Sequence, residues 1–250
     1  MTMLTNFRRR AVGRLQRELR RRFGERPAPQ ASPWADETFA IARIAAMNPD
    51  VVLDIGANEG QFVGKLRKLG YSGRIISFEP QRKAFMELSR RASASPNWEC
   101  HQLALGDSSA TLNMHVSAFS PSSSLLPIGR LHVELMPQTA EVGTESVSVI
   151  RLDEWEGAGS LLGKRIFLKL DVQGYELPVL RGMGGLLRDV NGALVELNFR
   201  SLFDGQSRYF EVMSILEGEG LHFAGLTGVN LHPTVSDFLW ADAVFFKQSL

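Results

Sequence analysis

Four acidic residues, Asp54, Glu79, Asp171 and Glu196, each stand where an apolar run gives way to a turn. A carboxylate so placed can hold the hydroxyls of a sugar or take a proton from one, the tasks of ribose binding and of general-base catalysis. The first acid lies in the stretch VVLDIGANEG, residues 51–60, where Gly56 and Gly60 bracket a short loop before Phe62 and Val63 resume an apolar pattern. Glycine lets the main chain approach a ligand with no Cβ in the way, and a helix opening after Gly60 presents unpaired N–H groups. The stretch suits a ligand with a carboxylate, phosphate or sugar edge, although a strand-to-helix turn can need glycine for steric reasons alone. Glu79 ends the next apolar run, at the spacing from Asp54 where a carboxylate can accept from both hydroxyls of a ribose.

These acids need a scaffold that gathers strand ends, and the chain supplies one. Apolar runs at 51–55, 74–78 and 98–103 read as strands; helical patterns at 61–69 and 81–93 lie between them, and a short helix at 35–47 precedes them. Such alternation predicts an α/β fold with a parallel sheet and right-handed crossovers. The middle is less regular: strands are expected at 111–116 and 145–151, separated by a Ser/Pro-rich stretch, 117–127, that is a loop or a cover. The pattern returns with a strand at 165–170 and a helix at 175–187 with Pro178 in its first turn. Strands at 193–197, 221–226 and 238–246 and a helix at 209–217 complete the chain. Ligands of such sheets sit beyond the carboxyl ends of the strands, where strand order reverses. All four acids point there, as does the turn Ala104-Leu105-Gly106-Asp107.

Composition narrows the function classes. At 250 residues, 44% hydrophobic and 22% charged, the chain has room for one large globular domain with an appendage. It holds no apolar run of the roughly 18 residues that a spanning helix needs. One cysteine and five scattered histidines make a dedicated metal site unexpected, and the cysteine count suits a reducing cytoplasm. Residues 1–30 hold nine arginines against two glutamates, a net of +7, which leaves −6 for the remainder of a chain of net charge +1. Leu4, Phe7, Ala11, Leu15, Leu19 and Phe23 give this basic segment an apolar stripe at helical spacing, and arginines 8–10 stand where a secretory signal would be apolar. We expect residues 1–33 to form a basic amphipathic helix and linker, and 34–250 the functional domain. The helix has three uses open to it: contact with anionic lipid at the inner face of the membrane, packing on the domain or on a second subunit of a homodimer, or, as a weaker third, contact with nucleic acid. Nothing else suggests nucleic-acid chemistry.

A nicotinamide dinucleotide could use the same strand ends. Against it, the loop reads G-A-N-E-G where the fingerprint needs G-x-G-x-x-G, and Glu59 is expected to face the pyrophosphate. An acid there suits a cationic or zwitterionic ligand, and the sulfonium and amino-acid end of S-adenosylmethionine qualifies. The ordered run DIGANEG, FEP, LALGD, RLDEW, LKLDVQGYELPVLRG, VELNF with DGQ, and ADAVFF, over roughly residues 50–247, resembles the FkbM-type family of S-adenosylmethionine-dependent methyltransferases. The resemblance implies a class I Rossmann-like methyltransferase fold: a seven-stranded, mostly parallel sheet with an antiparallel last strand and helices on both faces. It also implies methylation of a hydroxyl on a sugar, glycolipid or polyketide-type acceptor.

Carried over by residue, Asp54, Gly56, Ala57, Asn58 and Gly60 surround the methionine part of S-adenosyl-L-methionine. Glu79 holds the ribose, with Pro80 shaping the turn, while Ala104, Leu105 and Asp107 line the adenine. Asp171 sits beside the methyl group, the first candidate for the base or for orienting the acceptor, with Glu196 second. Many members of the family carry glutamate where this chain has Gln173. Lys169 either points into the site or pairs with an acid. Ser122 to Ser124 and residues 198–205 are expected to frame the acceptor pocket, and the tryptophans (34, 98, 155, 240) to stack on sugar or pack in the core. A non-catalytic binding module of the same fold and a nicotinamide-dependent oxidoreductase are the alternatives.

Overall fold

The computed structural model of the chain describes residues 32–247, so the basic N-terminal helix, most of its linker and the roles given to them lie outside the described residues. Helix α1 (Glu37–Met47) starts at Asp36, whose side chain accepts from the Thr38 N–H, and stops at Asn48 in the left-handed region. Strand β1 (Val51–Ile55) is followed by α2 (Gln61–Lys68), β2 (Arg74–Phe78), α3 (Arg82–Ser93) and β3 (Trp98–His101). Then come β4 (Ala104–Leu105), β5 (Ala110–Ser117), α4 (Arg130–Leu135), β6 (Glu141–Ile150) and β7 (Ile166–Leu170). Helix α5 (Glu176–Gly182), β8 (Val190–Asn198), α6 (Tyr209–Gly218), β9 (Leu221–Leu231) and β10 (Phe238–Lys247) close the chain. Among these helices none is long and apolar enough to cross a membrane.

Seven strands form one sheet in the order β3-β2-β1-β7-β8-β10-β9. Strands β1, β2, β3, β7 and β8 pair in parallel, and β10 runs antiparallel to both its neighbours. This is the class I Rossmann-like arrangement. All five residues of β1 are buried, as its unbroken apolar run requires of a central parallel strand covered on both faces. One core gathers residues of α5, α6 and the sheet face beneath them; the other joins α1 and α2 to the opposite face through Ile41, Ile44, Val63, Leu66 and Phe167. Strand order reverses at β1, so its carboxyl end, between β2 and β7, is where a ligand cleft belongs.

Besides strand bounds, where β6 starts earlier and β9 runs longer than expected, the structure departs from the expected elements in three places. The third strand stops at His101, and Ala104–Leu105, expected within a turn, form β4, which joins β5 and β6 in a separate three-stranded sheet. The helix expected over 175–187 ends at Gly182, and 3-10 turns at Gly184–Asp189 replace the rest. A Cβ at Gly182 would lie 1.8 Å from the Gly106 carbonyl oxygen, and Gly184 has a φ of +52°, so close approach and a left-handed residue end the α-helix here. Helix α4, only six residues long, is too short for a helical period to announce itself.

Candidate active site

The loops after β1, β2 and β7 are tied by main-chain bonds. The N–H groups of Gly56 and Ala57 both donate to the Phe78 carbonyl, at 3.0 and 3.1 Å, and the Asp171 N–H donates to the Ile55 carbonyl at 3.1 Å. Gly56 has a φ of +75°, and a Cβ there would stand 1.8 Å from the Asp171 carbonyl oxygen. Gly60, at φ +84°, would put a Cβ 2.6 Å from the ring of Trp98. Both glycines are therefore demanded by the protein's own packing, the steric reason that the sequence had left open, and Gly56 also lines the cleft beyond the strand ends. Gly56→Ala is expected to cost about 1–3 kcal/mol or more, because the atoms it meets are main chain and cannot step aside; an unchanged midpoint in denaturant would contradict this.

Beyond these strand ends lies a cleft. Of the site residues expected from sequence, Gly56, Asn58, Glu79, Pro80, Ala104, Leu105 and Asp171 line it. Asp54, Ala57, Gly60, Asp107 and Glu196 do not. Ala57 is buried with its N–H on Phe78, Gly60 backs onto Trp98, and Asp107 turns its carbonyl to Arg151 at 2.8 Å. Glu59, expected to face the ligand, instead pairs with Arg91 at 3.3 Å.

Glu79 is 5% exposed. One carboxylate oxygen accepts from the Asn58 N–H and the other from the Gln81 N–H, both at 2.8 Å. Burial pushes its pKa up to about 7, against the lowering effect of those two N–H groups. Each oxygen keeps acceptor capacity beyond its one bond. Leu103, Leu105, Met114 and Leu125 supply the apolar part of the cleft lining.

Asp54 is fully buried, bonded to Ser77 at 3.1 Å, and its pKa is raised by burial with Lys169 opposing. Its position is beneath the loop, as a support. Lys169 donates to the Gly56 carbonyl at 2.7 Å and lies 3.6 Å from both Asp54 and Asp171, so it holds the loop and pairs with acids. Burial acts to lower its pKa, but Asp171, Asp54, Asp242 and Glu196 reverse this and raise it.

Asp171 opens to the cleft, with a third of its side chain exposed. Glu196 is buried, and burial first, then Asp171 and Asp242, hold its pKa well above the usual carboxylate range. The amide nitrogen of Gln173 donates to Asp171 at 2.7 Å and to Glu196 at 2.9 Å, so Glu196 reaches the cleft only through Gln173. The turn from Asp171 to Tyr175 is closed by Glu176, which accepts from the Val172 and Gly174 N–H groups at 3.2 and 3.1 Å and is pushed up to about 7 by burial. Neither Gln173 nor Glu176 had been singled out for these contacts; the signal available was an acid placed where it could accept from turn N–H groups ahead of it.

The serine-rich stretch is a cover. Ser120 donates to Gln81 and accepts from Asn58, Ser123 accepts from Gln81, and Ser124 donates to the Gln173 carbonyl at 2.7 Å, which ties it to all three strand-end loops. Ser123 and Ser124 line the cleft but Ser122 does not. Residues 198–205 brace the far end of this cover, through Asp204 to Pro127 and Gly129 to Leu202, and stay off the cleft wall. The tryptophans also stay off it: Trp155 packs on Phe78 and His101, Trp34 on Phe39 and Phe246, and Trp98 donates to Ser77.

Known proteins show the same pattern of similarity. A family model described as the methyltransferase FkbM domain matches residues 54–223. Methyltransferase 1 of Beauveria bassiana is 27% identical over 77% of this chain and 76% of its own. The 2-O-methyltransferase NoeI of Sinorhizobium fredii is 23% identical over 67% of this chain and 72% of its own. The hexuronic acid methyltransferase AglP of Haloferax volcanii is 28% identical over 61% and 58%. Because the family match alone spans well over half of its residues, the chain belongs to the FkbM family of methyltransferases.

Proposed function

We propose that the protein moves a methyl group from S-adenosylmethionine to a hydroxyl of a sugar, glycolipid or polyketide-type acceptor. The observation that carries this reading is that Glu79 and Asp171, at the ends of strands flanking β1, line one cleft. The cleft residues fit the cofactor: Leu103, Leu105, Met114 and Leu125 give the cleft an apolar part as an adenine requires, and a buried carboxylate with spare acceptor capacity suits a ribose diol. Gly56 and Asn58 then meet the methionine part, Glu79 the ribose, and Ala104 and Leu105 the adenine. The names of NoeI and AglP, a 2-O-methyltransferase and a hexuronic acid methyltransferase, support a sugar-type hydroxyl.

S-adenosylmethionine, when bound, supplies a methyl group already activated by the sulfonium. What remains for the chain is to hold the acceptor oxygen in line and to receive its proton. Asp171 is the carboxylate open to the cleft, with Lys169 near one oxygen to stabilise its charge. Glu196, buried behind Gln173, is displaced from the role of second base to that of support.

Calorimetric titration of the full chain is expected to give heat with S-adenosylmethionine and none with NAD; the reverse would favour an oxidoreductase. Ribose hydroxyls donate to the ionised form of Glu79, whose pKa in the free protein is about 7. Cofactor affinity should therefore fall as pH drops below that value, by up to about tenfold per unit. A flat affinity between about pH 8 and pH 5 would remove Glu79 from the ribose.

A further inference from the structure

We infer that Gln173 is a positioning residue for methyl transfer: its side-chain amide fills the gap between Asp171 and Glu196 that a proton or a cation would otherwise have to fill, and so fixes how Asp171 meets the acceptor. This rests on the methyl-transfer reading of the cleft. The amide nitrogen lies 2.7 Å from one oxygen of Asp171 and 2.9 Å from one of Glu196, so both of its N–H groups are spent on carboxylates. Lys169 stands 3.6 Å from the other Asp171 oxygen. Asp171 is thus hydrogen-bonded at one oxygen by Gln173 and faces the Lys169 cation at the other, so the amide is the hydrogen bond that orients the carboxylate.

The turn itself does not need this side chain. Gln173 has a φ of +56°, unusual for a residue with a Cβ, and the turn is held through main-chain groups, by Glu176 on the Val172 and Gly174 N–H groups and by Ser124 on the Gln173 carbonyl. The charge around the pair favours a donor between the two acids in this chain. Asp54 on β1, Asp242 on β10 and Glu176 on α5 face the same pair, with Lys169 the cation among them. A carboxylate in place of the amide would add another negative charge and lose both donors unless it carried a proton.

The test compares full-length Gln173→Leu and Gln173→Glu with the unsubstituted chain, by calorimetry with S-adenosylmethionine and by transfer of labelled methyl from it into an extract of the source cells. Both variants are expected to keep cofactor affinity within about threefold, while Gln173→Leu loses about 100-fold in label transferred, the scale of a misplaced reacting group. Gln173→Glu, of the same shape, is expected to fail at about pH 8 and to regain about tenfold relative to the unsubstituted chain by about pH 6, as a proton restores a donor between the acids. Transfer by Gln173→Leu within about twofold of normal, a pH-independent ratio for Gln173→Glu, or losses in transfer matched by losses in cofactor affinity would each overturn the proposal. No transfer by the unsubstituted chain would remove the methyl-transfer reading, and this inference with it.

Discussion

Asp171→Asn is expected to bind S-adenosylmethionine as the unsubstituted chain does and to lose about 10²- to 10⁴-fold in turnover, the usual worth of a placed base. The substitution keeps shape and keeps an oxygen to accept from Gln173, so the contact at 2.7 Å survives. It removes the negative charge 3.6 Å from Lys169, but Lys169 retains the Gly56 carbonyl and Asp54, and the loop around the cofactor stays in place. What the amide cannot do is take the acceptor's proton. Turnover is read by label transfer and binding by calorimetry. Unchanged turnover would eliminate Asp171 as the base, and a parallel loss of binding would make it a cofactor ligand instead.

Lys169→Met is expected to lower stability by about 3–5 kcal/mol, the cost of leaving a buried ion-pair partner uncompensated. Asp54 is fully buried with Lys169 as its nearby cation, and Asp171, Glu196 and Asp242 share the same charge. The lost bond to the Gly56 carbonyl adds to this. The acids can relieve their repulsion by taking protons, so the loss should be larger at about pH 8 than at about pH 5. Denaturant titrations at the two values check both statements; a loss below about 1 kcal/mol, or an equal loss at both, would mean that the cluster does not depend on this cation. Glu79 pulls the unsubstituted chain in the same direction. Its pKa is raised from 4.5 to about 7 in the folded state, so its contribution to stability is full below the lower value and is lost as pH rises through the higher one.

How much of this was legible in the sequence depended on whether the cause was local. VVLDI followed by glycine reads as a buried strand and a turn because run length and glycine are local signals, and β1 takes up those five residues. The antiparallel direction of the closing strand came through the resemblance, since periodicity alone does not give strand direction. The strand character of Ala104 and Leu105, expected within a turn, was hidden because two residues are too short to show a period; they pair with Val149 and Ile150, which only the tertiary fold brings near. The reasons for the glycines were hidden in the same way: Gly60 answers to Trp98 and Gly182 to the Gly106 carbonyl, partners distant in sequence. Asp171 was found because it ends an apolar run. The pairing of Gln173 with Glu196 was not, because it depends on the parallel register of β7 and β8, in which Leu170 stands beside Val195.

The most direct test of the methyl-transfer reading is to incubate the full chain with S-adenosylmethionine labelled in its methyl group and an extract of the source cells, then identify what becomes labelled. The expected result is label on a hydroxyl oxygen of a sugar-containing or related small molecule, lost with Asp171→Asn. Label on nitrogen or carbon, or none above a control without the protein, would contradict it.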